Sequence, residues 1–585
     1  MNKKKYKNTY YKTREVTDLK DLLDQSAEIF KEKAAYMVKD KPGGPYRKIM
    51  YPEFKRDVDA LGTSLLSMGL AGTKIAVVGE NSYKWIVSYM AVACGVGVIV
   101  PLDRELPINE MAHLAKRAEI SAIICSKKLE DKAMELLEEV DSLKYMIKMN
   151  AQVHNDQELE MDARIYSFDR LIDEGNVRIE EGNRSFINAE INPDEMCSLL
   201  FTSGTTGLAK GVMLSHTNIV QNTLNMSKYV DIGEDGVGLS VLPMHHTFEM
   251  TCHITTAMYQ GLCVAICEGL KYIMKNMAES QATVMLGVPL IFEQMHKKLM
   301  KQAQQSGRLE KMKKGIALSK KFKLYNHPEV TKKMFAPLHE ATGGKMRLFI
   351  AGGAAINPEV ISDFEAMGIP MMQGYGMTEN APIIAVNRDR FSKADSVGFP
   401  MPGTEIEIID QDENGIGEVI CKGPSVMLGY FNNPEETNSV LIDGWLHTGD
   451  YGKFDSDGML YIMGRKKNVI VTKNGKNIFP EEVEYYLLKS DFIEEALVVG
   501  TTDEKTGDTV VKASVYPNYK LIEEELGTYT KEELRQFIKN IIDVINEEMP
   551  LYKRVKRFSI RETEFEKTTT KKIKRFAKEN LVDVD

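Results

Sequence analysis

From Lys74 the chain alternates short apolar runs with helix-length amphipathic stretches. Ile75-Ala76-Val77-Val78-Gly79 is apolar and ends on glycine, residues 82–94 place apolar side chains at helical spacing, and residues 96–101 are apolar again. This predicts strand, helix, strand, and the amphipathic stretch 108–117 with the run 120–125 continues the alternation. Unbroken apolar runs separated by helices are what a mostly parallel sheet needs, because helices cover both of its faces. The first domain is therefore expected to be α/β. Residues 150–193 are polar and acid-rich with little apolar periodicity, and connections with short strands are expected there. A second α/β stretch is predicted over 196–387, interrupted at 295–333 by a Lys/Gln-rich helical segment that reads as a surface insertion.

Beyond residue 396 the rhythm shortens. Runs such as Glu405-Ile406-Glu407-Ile408-Ile409 and Glu418-Val419-Ile420-Cys421 stand between turn signals, Asp412-Glu413-Asn414-Gly415 and Asp455-Ser456-Asp457-Gly458, and predict a β-rich subdomain up to 461. After Gly464-Arg465-Lys466-Lys467 come a strand, an Asn474-Gly475 turn, a helix starting at Pro480-Glu481-Glu482, two more strands and a helix from Lys531. The expected architecture is α/β: a large N-terminal domain (15–465) of two α/β subdomains and a β-rich subdomain, then a small mobile α+β C-terminal domain (466–585). A length of 585 residues is too great for one ordinary core and fits several subdomains.

Composition narrows the class. With 43% hydrophobic and 27% charged residues the chain reads as globular, and a net charge of -9 argues against a protein that wraps nucleic acid by bulk electrostatics. The seven cysteines are scattered and mostly set in apolar runs, which predicts reduced core thiols and a cytoplasmic protein. Cys263 and Cys267 are spaced to share a helix face, but no second pair or histidine set accompanies them as a zinc site requires. Residues 1–14 are basic with no apolar segment behind them, so a frayed tail is expected and not a secretory signal. The longest apolar stretch, around 89–101, falls short of the roughly 20 residues that span a bilayer. Any membrane contact is then peripheral.

The segment richest in chemistry is Thr202-Ser203-Gly204-Thr205-Thr206-Gly207-Leu208-Ala209-Lys210-Gly211, directly after the apolar run 198–201. Its glycines let backbone N–H groups turn toward an anion, its hydroxyls donate to phosphate oxygens, and Lys210 supplies charge. The spacing is not that of GxxxxGK[ST], so the loop is not of the Walker type. Ala351-Gly352-Gly353-Ala354-Ala355 follows a predicted strand and precedes the cap Asn357-Pro358; its small side chains let a flat ring approach the backbone. In Gln373-Gly374-Tyr375-Gly376-Met377-Thr378-Glu379 the tyrosine offers an aromatic face, Thr378 a hydroxyl, and Glu379 a hard oxygen ligand suited to Mg²⁺ beside phosphates.

These motifs, in this order, resemble the adenylate-forming superfamily of acyl-CoA synthetases, firefly luciferases and peptide-synthetase adenylation domains, and most of all bacterial long-chain fatty acid–CoA ligases. The resemblance covers most of the chain. It implies ATP, Mg²⁺ and coenzyme A as cofactor, metal and co-substrate, and a small carboxylic acid as the group activated. It implies further that residues 202–207 and Lys210 bind phosphate, that Gly353, Ala354 and Tyr375 meet adenine, that Gln373, Gly374 and Gly376 bind the same nucleotide, and that Thr378 meets the α-phosphate with Glu379 on the metal. In Leu242-Pro243-Met244-His245-His246 the better match to the family's pocket histidine is His246. Asp450, in Gly444-Trp445-Leu446-His447-Thr448-Gly449-Asp450, matches the aspartate that accepts the ribose hydroxyls, Arg465 the arginine that reaches the nucleotide, and Lys467 the hinge.

The same resemblance places the adenylation lysine at Lys572, in Lys567-Thr568-Thr569-Thr570-Lys571-Lys572-Ile573, where Lys571 replaces the family's usual glycine. Gly287-Val288-Pro289-Leu290-Ile291-Phe292-Glu293 and Asn474-Gly475-Lys476-Asn477-Ile478 look like long-chain members and imply a fatty acid. The gate tryptophan of some long-chain members is Met250 here, so chain length stays open. The expected activity is an AMP-forming acyl-CoA ligase for a medium- to long-chain fatty acid. Loading of a separate carrier protein, an aromatic or other non-fatty acid, and an idle nucleotide-binding scaffold are the alternatives. No nucleic acid partner is expected, and assembly as a homodimer stays open.

Overall fold

The structure, a computed structural model, describes residues 10–150, 162–202, 209–389, 391–472, 476–503, 508–567 and 572–581. The chain forms two compact units, Met1–Glu405 with Lys422–Leu446, and Ile406–Cys421 with His447–Asp585. The boundary expected at 465/466 falls within the second unit, at the end of the strand Leu460–Arg465, where the chain passes from one sheet to the next.

The first unit holds two large sheets. In the eight-stranded one, Thr73–Val78 pairs in parallel with Gly97–Pro101 on one side and Ile120–Cys125 on the other. Tyr145–Lys148 and Ile165–Ser167 extend that parallel side, while Met196–Thr202 and Lys210–Ser215 form an antiparallel pair toward the other edge. Both faces are covered, which is why Ala76, Val100 and Ile123 are fully buried and the strands read as continuous apolar runs.

The second sheet has nine strands. At its centre Val237–Ser240, Val284–Gly287, Leu348–Ala351 and Met371–Gly376 run parallel and adjacent. Their register pairs Gly287 with Ala351 and Ala351 with Gln373, so the loops after these strands emerge side by side at the carboxyl edge. That edge is where an open α/β sheet presents its ligand crevice.

Three expectations are corrected. Residues 150–193 contain a 13-residue helix, Phe168–Glu180, packed on the helix Tyr51–Ser67. Its periodicity is hidden because the third inward position is Gly175, where a Cβ would stand 2.0 Å from the carbonyl oxygen of Ala60. Cys263 and Cys267 share no helix face: Cys263–Ile266 is a strand, and both thiols are free. The C-terminal region also carries a helix, Tyr519–Leu526, and a strand, Val555–Ile560, beyond the elements expected.

The second unit begins with strands Glu405–Ile409, Gly417–Lys422, Trp445–Phe454 and Leu460–Arg465. A three-stranded sheet follows (Ile493–Thr502, Thr509–Pro517 and Val555–Ile560), covered by helices Pro480–Leu487 and Lys531–Glu547. Val483, Leu487, Ile538 and Ile542 form its core against Val498 and Val515.

Candidate active site

In the first unit the expected motifs gather at the carboxyl edge of the nine-stranded sheet. The histidine segment follows Val237–Ser240 and is clamped by a residue absent from the sequence reading. The Asn81 amide donates to the Leu242 carbonyl at 2.6 Å, and its oxygen accepts the Met244 N–H at 3.2 Å. Asn81 comes from the loop after Thr73–Val78, so the two sheets are tied together beside His245 and His246. The two imidazoles lie 4.1 Å apart, tilted at 43°. Burial, aided by Arg104, drops His245 to about 4, so it is neutral near pH 7. His246 caps the short helix Thr247–Glu249, its carbonyl accepting the N–H groups of Glu249 and Met250.

Phe248, two residues on, explains the first glycine of the Ala351–Ala355 motif. A Cβ on Gly352 would stand 2.7 Å from the Phe248 ring. Gly353 has φ +85°, which an L side chain rarely adopts, and Gly353, Ala354 and Ala355 are exposed, leaving a flat backbone surface. Asn357 caps the next helix as expected, accepting the Glu359 N–H at 2.8 Å. In the neighbouring motif Tyr375 is half-buried at the end of Met371–Gly376. Gln373 is buried and its amide donates to the Ala394 carbonyl at 2.8 Å, so it braces the strand end.

Thr378 and Glu379 share a single turn, Thr378–Asn380, held by Asn222, whose amide donates to the carbonyls of Asn380 and Ile383 at 3.2 and 3.0 Å. The Tyr430 hydroxyl donates to Glu379 Oε1 at 2.8 Å. The Lys210 ammonium lies 5.1 Å from the Tyr430 ring centre and pairs with Glu436. Tyr430 thus joins the lysine after the expected phosphate loop to the expected metal ligand. Neither Tyr430 nor Glu436 was foreseen; the only signal was Gly429-Tyr430-Phe431 before the cap Asn433-Pro434. The loop's ends are fixed, since Thr202 pairs with Lys210 across antiparallel strands. Ser203, Gly204, Thr205, Thr206 and Gly207 lie outside the described residues.

Glu379 suits Mg²⁺ of the kind that sits beside phosphates: Tyr430 engages one of its oxygens, and Mg²⁺ in such sites takes one or two carboxylates plus phosphate oxygens. Among the described residues no cluster of three or more His, Cys, Asp or Glu could hold a metal by itself.

The second unit carries the other group. Asp450 and Arg465 face each other across antiparallel strands, with Arg465 Nε 2.9 Å from Asp450 Oδ1. Asp450 is buried at 4% exposure, and its N–H donates to Thr448 Oγ1 at 3.1 Å. Lys572, in the same unit, is exposed as a residue. Loss of water around it lowers its pKa, Arg465 lowers it further, and Asp450 offsets part of this. Lys467, in the turn Lys466–Asn468, lies 5.1 Å from the Phe576 ring centre, so the expected hinge touches the same tail.

The tail is anchored by a residue the sequence did not single out. Arg575 donates to both Glu484 oxygens at 2.7 and 2.6 Å and to the Val498 carbonyl at 2.9 Å. Lys571 lies outside the described residues.

Residues 23–431 match the sequence profile of the AMP-binding enzymes, and 482–572 that of the AMP-binding enzyme C-terminal domain. The chain belongs to the AMP-binding enzyme family. This AMP-binding enzyme is 29% identical over 559 residues to the long-chain-fatty-acid–CoA ligase of Bacillus subtilis (strain 168), covering 89% of each chain. It is 26% identical over 555 residues to a chloroplastic long-chain-fatty-acid–acyl-carrier-protein ligase of Arabidopsis thaliana, covering 84% of this chain and 76% of the relative. Its fold matches that of the anthranilate CoA ligase AuaEII with a TM-score of 0.74 at 20% identity, over 98% of each chain. The expected mixed α/β fold, with a large first part and a smaller C-terminal one, is thereby found.

Proposed function

We propose that this AMP-binding enzyme is an ATP-dependent ligase that activates a medium- to long-chain fatty acid as its acyl-AMP and passes the acyl group to coenzyme A. A carboxylate oxygen of the acid attacks the α-phosphorus, the bond to the β-phosphate bridge breaks, and pyrophosphate leaves. A thiolate sulfur then attacks the acyl carbon and AMP leaves. The observation that carries the reading is the Lys210–Tyr430–Glu379 cluster in one unit together with the Asp450–Arg465 pair in the other, the unit that also contains Lys572.

Asp450 suits the ribose hydroxyls, Lys572 and Lys210 the phosphoryl charge that grows during adenylation, and Gly353, Ala354 and Tyr375 a flat base. Glu379 would hold Mg²⁺, which neutralises phosphate charge when bound. Lys572 then needs to withdraw for thioester formation, and Lys467 is the proposed hinge. The fatty acid is supported by the name of the Bacillus subtilis relative. A cytoplasmic location fits the free thiols, and among the described residues no helix is long and apolar enough to cross a membrane.

One assay across acids from acetate to oleate, with aromatic and bile acids, measuring AMP release with coenzyme A, tests substrate and acceptor together. Lys572→Ala is expected to abolish acyl-AMP formation while thioester formation from supplied acyl-AMP survives; equal loss of both half-reactions refutes the assignment. Lys571→Ala is the register control. A second reading is loading of a carrier protein, favoured by the name of the Arabidopsis relative. It predicts that coenzyme A fails as acceptor while acid-dependent pyrophosphate exchange persists.

A further inference from the structure

Residues 295–334 carry eleven lysines and one arginine against two glutamates, a net of +10 in a chain whose total is -9. The segment comprises most of the helix Pro289–Gln305, all of Leu309–Phe322, and Pro328–Met334. Leu309–Phe322 has an ordinary inward stripe, with Ile316 and Ser319 buried and Leu309 and Met312 half-buried. Its outward face is unusual. Lys311, Lys314 and Lys321 are exposed there together with Leu318 at 48% and Phe322 at 61% exposure. Spacings of three, four and seven residues put these five side chains on one side of the helix.

The patch continues onto the next helix. Met334, 41% exposed, places its sulfur 3.6 Å from where a Cβ would stand on Gly315, two turns before Phe322 on the same flank. Apolar side chains ringed by ammonium groups form a surface that water alone solvates poorly.

We propose that this face docks the protein on an anionic lipid surface, with Leu318, Phe322 and Met334 entering the boundary between headgroups and acyl chains and Lys311, Lys314 and Lys321 on the headgroup phosphates. A basic helix face that also exposes bulky apolar side chains lies in the plane of a membrane interface. Lysine stems reach along apolar surface while the ammonium stays at the polar level. A nucleic acid would match the charge but leave Leu318, Phe322 and Met334 without an apolar partner. The inference does not rest on the ligase reading, because it concerns a surface far in sequence from the proposed catalytic residues and its readout is binding.

The test is flotation of the full chain with phosphatidylcholine vesicles, with and without phosphatidylglycerol, at low and high salt. The expected result is binding that needs the anionic lipid and weakens with salt. A triple variant, Lys311→Ala with Lys314→Ala and Lys321→Ala, is expected to lower the partition roughly 100-fold, at about fivefold per lysine. Leu318→Ser with Phe322→Ser is expected to lower it as well. A far-UV circular dichroism spectrum and a urea midpoint unchanged in both variants show that they fold. Indifference of the wild type to phosphatidylglycerol, equal binding by either variant, or loss seen only when Lys3, Lys4, Lys5 and Lys7 become alanine overturns the proposal. So does binding to a single-stranded RNA oligonucleotide without binding to vesicles.

Discussion

Arg575→Met is expected to uncouple the two half-reactions without touching any proposed substrate contact. In the native chain Arg575 makes two charge-assisted bonds to Glu484, at 2.7 and 2.6 Å, and a third to the Val498 carbonyl. Both side chains are largely buried, at 16% and 13% exposure. Removing one member of such a pair leaves an uncompensated charge and destabilises by about 3–5 kcal/mol. Glu484 already feels this: burial raises its pKa, and Arg575 is the strongest influence holding it down. The rest of the tail is held by Asn580, which donates to the carbonyls of Glu566 and Lys574 at 2.9 Å, so the variant loosens the segment around Lys572 without detaching all of it.

If docking of this segment limits adenylation, acyl-AMP formation falls by at most about 10²-fold to a few thousand-fold, one power of ten per 1.4 kcal/mol. Pyrophosphate exchange reads the first half-reaction, and thioester formation from supplied acyl-AMP reads the second. Adding Glu484→Gln removes the buried charge and is expected to restore part of the lost exchange. Unchanged exchange in Arg575→Met, or an equal fall in both half-reactions, would refute the anchoring argument.

Tyr430→Phe removes the hydroxyl that donates to Glu379, a bond to a charged group that contributes about 1.5–3 kcal/mol. The expected outcome is a higher Mg²⁺ requirement for pyrophosphate exchange, with the thioester step from acyl-AMP little changed. Acid should destabilise the first unit through two neutral histidines. Burial drops both His216 and His245 to about 4, and His216 Nδ1 accepts the Leu19 N–H at 3.3 Å, a bond that requires the unprotonated nitrogen. Because the unfolded imidazoles bind protons near pH 6.5, the unfolded state holds more protons between about 4 and 6.5. Stability therefore falls as pH falls through 6.5, by about 3 kcal/mol per imidazole by the time pH 4 is reached. The urea midpoint measured from pH 7.5 to 4.5 checks this, and His216→Gln is expected to flatten the slope; a slope unchanged in that variant removes His216 from the account.

Much of this was legible along the chain because it is local. A buried parallel strand announces itself as a run such as Ile75-Ala76-Val77-Val78, and a turn that must admit a positive φ announces itself as Gly353. What escaped was decided by neighbours distant in sequence. The helix Phe168–Glu180 looked irregular because its contact with Tyr51–Ser67 is a glycine, and glycine is silent in an apolar pattern. Tyr430 stands 51 positions from Glu379, Glu436 stands 226 from Lys210, and Arg575 stands 91 from Glu484, so no local spacing could pair them.

By itself, then, the order of residues determined the alternation of strands and helices, the family, and the backbone-built motifs, since hydrophobic period and glycine placement act over a few residues. Tertiary structure alone decided what those motifs lean on. Asn81 grips the histidine segment, Phe248 fills the space that Gly352 leaves, Tyr430 links Lys210 to Glu379, and Arg575 holds the tail of Lys572. Each of these is a contact between chain segments brought together only when the sheets assemble, and contact distance carries no trace in sequence separation.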